Sequence, residues 1–246
     1  MDKLLYVAMS GAKETLRAQA ANSHNLANSN TTGFKADLSA FQSRAVTGPG
    51  FASRVYATDA SVGWDSSVGS QITTGNPLDV AVQGPGFIAV QDSQGNEAYT
   101  RAGDLHVEPS GQLLNSAGLQ VLGDNGPITV PPFSSVSVAP NGTISVVPLG
   151  QTPNTISNVG RIKLVNPSSD TVARGADGLF RTNTGQPAEA DATTNLASGV
   201  LEGSNVDLAG SMVNMIELSR NFDLQIKALH AAEDNGTASA KLLSSS

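Results

Sequence analysis

Near each end of the chain, apolar and small residues recur at alternating spacings of four and three. In the stretch from Leu4 to Ala27 they fall at Leu5, Met9, Ala12, Leu16 and Leu26, with Gln19 and Ser23 keeping the rhythm. That spacing draws one narrow seam along a single helical face. A helix of this length reaches about 36 Å, longer than the globular average. With two polar positions and one Ala among seven, its seam is too weak to form a core alone, so the helix needs a partner. Asn22, Asn25, Asn28 and Asn30 crowd its end, where side-chain amides compete with helical hydrogen bonds. Gly33 then supplies a residue that tolerates positive φ.

The partner candidate lies at the other end. Leu208, Met212, Met215, Ser219, Phe222, Ile226 and Leu229 repeat the spacing. Ser204 or Asn205 is expected to cap this helix, with Asp207 on the favourable side of its dipole and Lys227 and His230 towards the opposite pole. Met212 and Met215 serve equally as flexible core filler or as adaptable contacts in an assembly. Two arrangements stay open: a helix pair packed on its own globular body, or a coiled-coil base whose outer faces are buried by neighbouring copies.

Between the helices the pattern changes. Residues 35–75 show weak periodicity and are expected to be extended or loosely structured, lying along some other surface. From there short alternating runs dominate: Leu78–Val82, Phe87–Val90, Glu97–Arg101, Leu105–Val107, Leu119–Leu122, Ile128–Val130, Val136–Val138, Thr143–Val146, Arg161–Val165 and Gly178–Arg181. Asn125-Gly126 and Asn141-Gly142 are hairpin signals. Many short strands with Gly-rich turns and no helix between them predict an antiparallel sheet or barrel-like body. The expected fold is mixed α/β (α+β), with long terminal helices forming a coiled-coil-like base. The expected division is a helix and turn at 1–34, a linker at 35–75, a β-rich domain at 76–182, a return segment at 183–207 and a helix with tail at 208–246.

Composition narrows the function classes. Only 14% of the 246 residues are charged and the net charge is -7, with the basic residues scattered. That argues against nucleic-acid binding and fits a surface largely covered by other subunits. Cysteine is absent, which excludes disulfides and thiolate chemistry. No run approaches a membrane span. The apolar run Leu4–Met9 is short for a signal peptide, and Lys13, Glu14 and Arg17 break the stretch after it, so no cleaved signal is expected.

No catalytic, cofactor-binding or metal-binding residues emerge. Asp104, His106 and Glu108 alternate as three polar residues on one strand face, but no second cluster completes a metal site, and a solvated face is the simpler reading. Gly84-Pro85-Gly86 is a turn rather than a phosphate loop, since Pro85 removes a donor and no helix comes after it. His24, beside the amides at the helix end, is expected to pack or hydrogen-bond.

The turn reads Ser23-His24-Asn25-Leu26-Ala27-Asn28-Ser29-Asn30-Thr31-Thr32-Gly33-Phe34-Lys35. It resembles the N-terminal signature of the flagellar basal-body rod and hook proteins, with His24 where that family usually has Asn. Leu201–Asp207 followed by Met212–Ile216 resembles the family's C-terminal motif. Leu78–Phe87 and Tyr99–Asp104 are similar to its central motifs. Within the family, Met1–Gly11 and Ile128–Pro131 look like a proximal-rod member, the distal-rod member being the near alternative. The resemblance implies a structural subunit of the hollow, periplasm-crossing shaft that transmits torque and passes exported subunits. It implies terminal helices packed in the inner layer and a signature turn at Asn25, Leu26, Ala27, Asn28, Thr32, Gly33 and Phe34. Implied partners are base-proximal rod subunits, the distal-rod protein, further copies of the chain and the flagellar type III export apparatus, with no nucleic acid and no direct membrane insertion. A periplasmic wall-remodelling hydrolase is the rival, and it would ask for a carboxylate pair or a metal-activated water.

Overall fold

The computed structural model describes residues 4–45, 55–152 and 155–244. Residues 46–54 of the expected linker, and the outermost positions of both terminal segments, lie outside the described residues. The chain forms two compact units. A helical unit takes the N-terminal stretch to residue 29, residues 36–64, and everything from 206 onward. A central unit takes residues 30–35 and 65–205, wider limits than 76–182, so the chain visits it twice.

In the helical unit, α1 (Leu4–Ala27) packs closely on α2 (Leu208–Ser244). The pair is antiparallel: Asn22 Nδ2 donates to the Ser211 carbonyl at 2.7 Å, and Gly11 lies against the Gln225 side chain. Strands Asp37–Ala45 and Val55–Trp64 pair antiparallel, with a register shift between Leu38 and Ser39, and pack on α1.

The buried face of α1 carries Ala8, Ala12, Thr15, Ala18, Asn22 and Asn25. This departs from the sequence-derived seam. Ala12 belongs to both, but Leu5, Met9 and Leu16 are 37%, 53% and 49% exposed. Small side chains let the backbones approach, and a Cβ on Gly11 would meet Gln225 at 2.9 Å. On α2, Leu218 and Ala232 are buried, and Met215, Phe222, Ile226 and Leu229 are partly so, whereas Leu208 and Met212 are exposed. The start of α2 also differs from expectation. Asp207 Oδ1 accepts from the Ala209 amide at 3.1 Å and caps the helix, while Asn205 belongs to the central unit.

The central unit is built around one antiparallel sheet. Its main path runs Val172–Arg174, Phe180–Thr182, Glu97–Thr100, Phe87–Gln91, Gln120–Gly123, Leu113–Asn115, Leu105–Val107. A second sheet contains Phe133–Val138, Thr143–Pro148 and Ser157–Arg161. Side chains of both sheets merge with those of the separate strand Val80–Gln83 in one apolar core that includes Val80, Val82, Ile88, Val90, Leu113, Val121, Ile144, Val146 and Ile162. Phe87 to Val90 are buried without interruption, so both faces of that strand are covered.

Three strand expectations are corrected. The Asn125-Gly126 signal does form a hairpin, but Gly123 pairs with Gly126. The turn residues are therefore Asp124 and Asn125, and Gly126 comes next at φ 114°. That is a type I turn with a Gly bulge. It shifts the strand to Gly126–Pro127, leaving Ile128–Val130 outside it. The run Arg161–Val165 is divided, because one strand ends at Arg161 and the next is Leu164–Val165. Within the expected return segment, Asn195–Ser198 pairs with Val80–Gln83, and Val200–Glu202 pairs with Gln71–Thr73.

Candidate assembly interface and its anchor

Two features stand out, one in each unit. The first is the apolar surface that the helix pair leaves uncovered. Leu5, Tyr6, Met9 and Leu16 on α1, and Leu208, Met212, Val213, Ile216 and Leu224 on α2, are each more than a third exposed. Scattered exposed leucines need no explanation, but apolar residues ranked along helix faces are a candidate interaction surface. Leu5, Met9 and Leu16 fall on one line of α1, as do Leu208, Met212 and Ile216 on α2. Leu26 is partly covered.

The second feature is where the signature turn leads. After Ala27 the helix unwinds, and the Asn28 amide reaches the carbonyls of His24 and Asn25 at 3.2 and 3.1 Å. Asn25 stays within the helical unit. Its Nδ2 donates to the Asp37 carbonyl at 3.0 Å, and its Oδ1 accepts from the Asp37 amide at 2.8 Å. This is an edge contact that any shorter or apolar side chain would lose. His24 Nδ1 lies 2.8 Å from Asp37 Oδ2, so the ring is a hydrogen-bonding residue of the hairpin base. Thr32 precedes Gly33, which sits at φ 68°. A Cβ on Gly33 would lie 2.2 Å from the Arg101 carbonyl carbon, so only glycine fits.

The chain enters the central unit at Asn30 and, just beyond Gly33, meets a buried cluster of charge. Lys35, Arg101 and Glu202 are 1%, 3% and 0% exposed. Lys35 Nζ is 2.6 Å from Glu202 Oε1 and donates to the Ser67 carbonyl at 2.6 Å. Arg101 Nη1 reaches Glu202 Oε2 at 2.8 Å, its Nε donates to the Gly86 carbonyl at 2.8 Å, and its Nη2 donates to the Gly84 carbonyl. Phe34 is buried with the Arg174 guanidinium 4.3 Å above its ring, and Arg174 Nη1 donates to the Lys35 carbonyl at 2.8 Å. Asn205 closes the group, donating from Nδ2 to the carbonyls of Asp65 and Ser67 at 3.0 and 3.1 Å.

Burial pushes the Lys35 ammonium below the ordinary lysine range, against the upward pull of Glu202. Burial works to raise Glu202 as well, but the Lys35 hydrogen bond, the Gly69 amide and Arg101 together hold it below the ordinary carboxylate range. The cluster is therefore an ionic joint between three segments remote in sequence.

Lys35, Arg101 and Glu202 do not stand out in the sequence. Their signal there is faint but present: each lies inside one of the three motif stretches of a charge-poor chain. The Asp104, His106 and Glu108 row flanks Leu105–Val107, with Leu105 buried and His106 and Glu108 exposed. Among the described residues no group of three His, Cys, Asp or Glu side chains could hold a metal ion, and no helix is long and apolar enough to cross a membrane.

Three family models match the chain. They are described as flagella basal body rod protein, over residues 5–35, flagellar hook protein FlgE/F/G D1 domain, over 81–146, and flagellar basal body rod FlgEFG protein C-terminal, over 197–242. The chain is 41% identical over 252 residues to the flagellar basal-body rod protein FlgF of Escherichia coli K12, covering all of both chains. It is 42% identical to FlgF of Salmonella typhimurium, again over the whole of both. It is 30% identical to FlgG of Buchnera aphidicola from Schizaphis graminum, covering 90% of this chain and 94% of that one. The two terminal matches take in nearly all of both helices with their exposed apolar faces; the first ends at Lys35 and the second contains Glu202. The chain belongs to the flagellar basal-body rod protein family.

Proposed function

We propose that the chain is a non-enzymatic structural subunit of the proximal part of the flagellar rod. It assembles there with base-proximal rod subunits, the distal-rod protein and further copies of itself into the hollow shaft that carries torque and passes exported subunits. The observation that carries this reading is the apolar face left uncovered on both helices, within the segments that the rod-family models match. Burial of half-exposed Leu, Met and Ile side chains against neighbours contributes roughly 1 kcal/mol each, and repetition through a helical lattice multiplies it. The identities of 41–42% with FlgF against 30% with FlgG favour the proximal over the distal position. In this reading Leu5, Met9, Ala12, Leu16 and Leu26 on α1, with Leu208, Met212, Met215, Phe222, Ile226 and Leu229 on α2, form the assembly seams. The chain leaves the cytoplasm through the flagellar type III apparatus without a cleaved signal peptide and comes to lie in the rod that crosses the periplasm.

The test separates folding from assembly. Leu16→Asp places a charge where the single chain already meets water, so the purified protein keeps its helicity and melting temperature. In cells the variant is made and exported, but basal bodies end below the rod segment that this subunit builds. Normal motility with Leu16→Asp and Met212→Asp combined contradicts the interface.

A further inference from the structure

We propose that Met9 and Met212 are oxidation sites of the free chain, and that converting their thioethers to sulfoxides switches off the assembly surface while the fold persists. The chain has four methionines and no cysteine, so every sulfur it carries is a thioether. All four fall in the terminal stretches, at positions 1, 9, 212 and 215, and the central unit holds none. Met1 lies outside the described residues. Of the other three, Met9 is 53% exposed and Met212 is 50% exposed, whereas Met215 is partly buried. Met9 stands one turn from Leu5 on α1, and Met212 stands one turn from both Leu208 and Ile216 on α2, all three of them exposed. The antiparallel pairing, with Asn22 level with Ser211 and Gly11 level with Gln225, puts Met9 and Met212 towards opposite ends of the helix pair. They are about 20 Å apart along it. One half-exposed sulfur therefore sits in each of the two uncovered apolar lines.

The reaction needs only a peroxide. A sulfur lone pair attacks one peroxide oxygen, the O–O bond breaks as the S–O bond forms, and the departing hydroxide takes the proton left on the new oxygen. Sulfur loses two electrons, and hydrogen peroxide is reduced to water. Susceptibility follows exposure. Both positions already meet water in the single chain, so the product is hydrated there and the helix pair gives up little packing. Against a neighbour the same S–O group must shed its water, and an apolar contact offers it no donor. Methionine suits varied neighbours because its side chain is flexible and apolar, and sulfoxidation removes that quality reversibly. A neighbour that covers the seam also shields both sulfurs, so the sensitive interval is the one before incorporation. That consequence rests on the rod reading, but the order of oxidation is a property of the free chain.

Hydrogen peroxide titrated onto the purified full-length protein tests it, with peptide mapping by mass spectrometry. Met9 and Met212 are expected to gain one oxygen at least about threefold faster than Met215, with helicity and melting temperature unchanged. The oxidised chain leaves a phenyl matrix earlier than the untreated one, and methionine sulfoxide reductases of both stereospecificities return it to the original position. In cells, Met9→Gln combined with Met212→Gln puts an amide of similar length at both sites. That chain keeps its helicity when purified and is made and exported, but basal bodies end below its rod segment. Oxidation of Met215 first or at the same rate overturns the proposal, as does loss of helicity while Met9 and Met212 react, because those sulfurs would then belong to the fold. Unchanged retention on the phenyl matrix overturns it too, and so do normal rods with the paired Gln variant. If Leu16→Asp combined with Met212→Asp still blocks rods in that last case, the rod reading stands and the sulfoxide switch alone falls.

Discussion

The two units solve the problem of cohesion in opposite ways. Among the described residues of the helical unit, α1 closes on Ala8, Ala12, Thr15 and Ala18 and α2 on Leu218 and Ala232, while many of the larger apolar side chains of both helices stay exposed. The central unit does the reverse, gathering Val, Ile and Leu from several of its sheets into one core and adding a buried ionic joint. A buried methyl contributes under about 1 kcal/mol, and a buried Ile or Leu contributes about 2 to 3. The central unit is therefore self-sufficient. The helix pair holds its shape on smaller buried groups and leaves Leu5, Met9, Leu16, Leu208, Met212 and Ile216 exposed in the single chain.

The comparison breaks most sharply at Glu202. Glu202→Ala leaves Lys35 and Arg101 buried without a counter-ion, and removing one partner of a buried pair costs about 3–5 kcal/mol. Urea unfolding followed by amide protection in Val80–Gln83 is expected to lose that much. Lys35→Met loses far less, since Arg101 still pairs with Glu202. If the two substitutions cost the same, the joint is not organised around the carboxylate.

Ile144→Ala comes next. Ile144 is fully buried on the second sheet, and a deletion of this kind costs about 2–5 kcal/mol including the cavity left behind. The loss is confined to the central unit. Trp64, the chain's only tryptophan, ends the hairpin of the helical unit and reports on that unit. Its fluorescence midpoint is expected to move much less than the melting of the sheet. Coincident shifts would show that the units unfold as one.

Local features are legible in the sequence. The limits of α1, the run Phe87–Val90 and the hairpin after Val138 are set by spacing and turn chemistry within a few residues. The helix seam is legible in period but not in phase. A reading weighted by side-chain size selects Leu5, Met9 and Leu16, whereas close pairing inside one chain selects Ala8, Thr15 and Ala18. The α2 cap is displaced by two residues because Asn205, a good capping residue, is engaged by Asp65 and Ser67. The three residues of the ionic joint each lie inside a motif stretch, but their pairing is not legible. Lys35 and Glu202 are 167 positions apart, and no periodicity connects them.

A smaller effect sharpens the contrast from the helical side. Asp207→Ala removes the side-chain acceptor at the start of α2, and a lost cap costs about 1 kcal/mol. Trp64 fluorescence and helicity near α2 are expected to respond, with the sheet unaffected. Asp207→Asn, which keeps the acceptor, restores most of the loss.

The gentlest probe is acid. Four carboxylates of the central unit have pKa values held below their ordinary range. Asp92 and Asp177 are held down first by hydrogen bonds from Arg181. Glu202 is held down by its cations and the Gly69 amide in spite of burial. Asp191, with bonds from the Thr193 amide and hydroxyl and the Thr194 hydroxyl, is lowered to about 2. A carboxylate that binds its proton less readily when folded than when unfolded lends stability above its unfolded pKa, about 4 for Asp and Glu. That stability drains away as the pH falls through the folded value. The central unit is therefore expected to lose stability steadily from about pH 4 down to about pH 2. Urea midpoints measured by sheet protection at several pH values give the slope. Asp191→Asn removes one titrating group and keeps part of the turn, so its midpoint falls less steeply over the same window, although it starts lower at neutral pH. An unchanged slope in that variant would mean that Asp191 keeps its bonds in the unfolded chain, and the acid sensitivity of the sheet unit would then rest on the Arg181 pairs and the Glu202 joint.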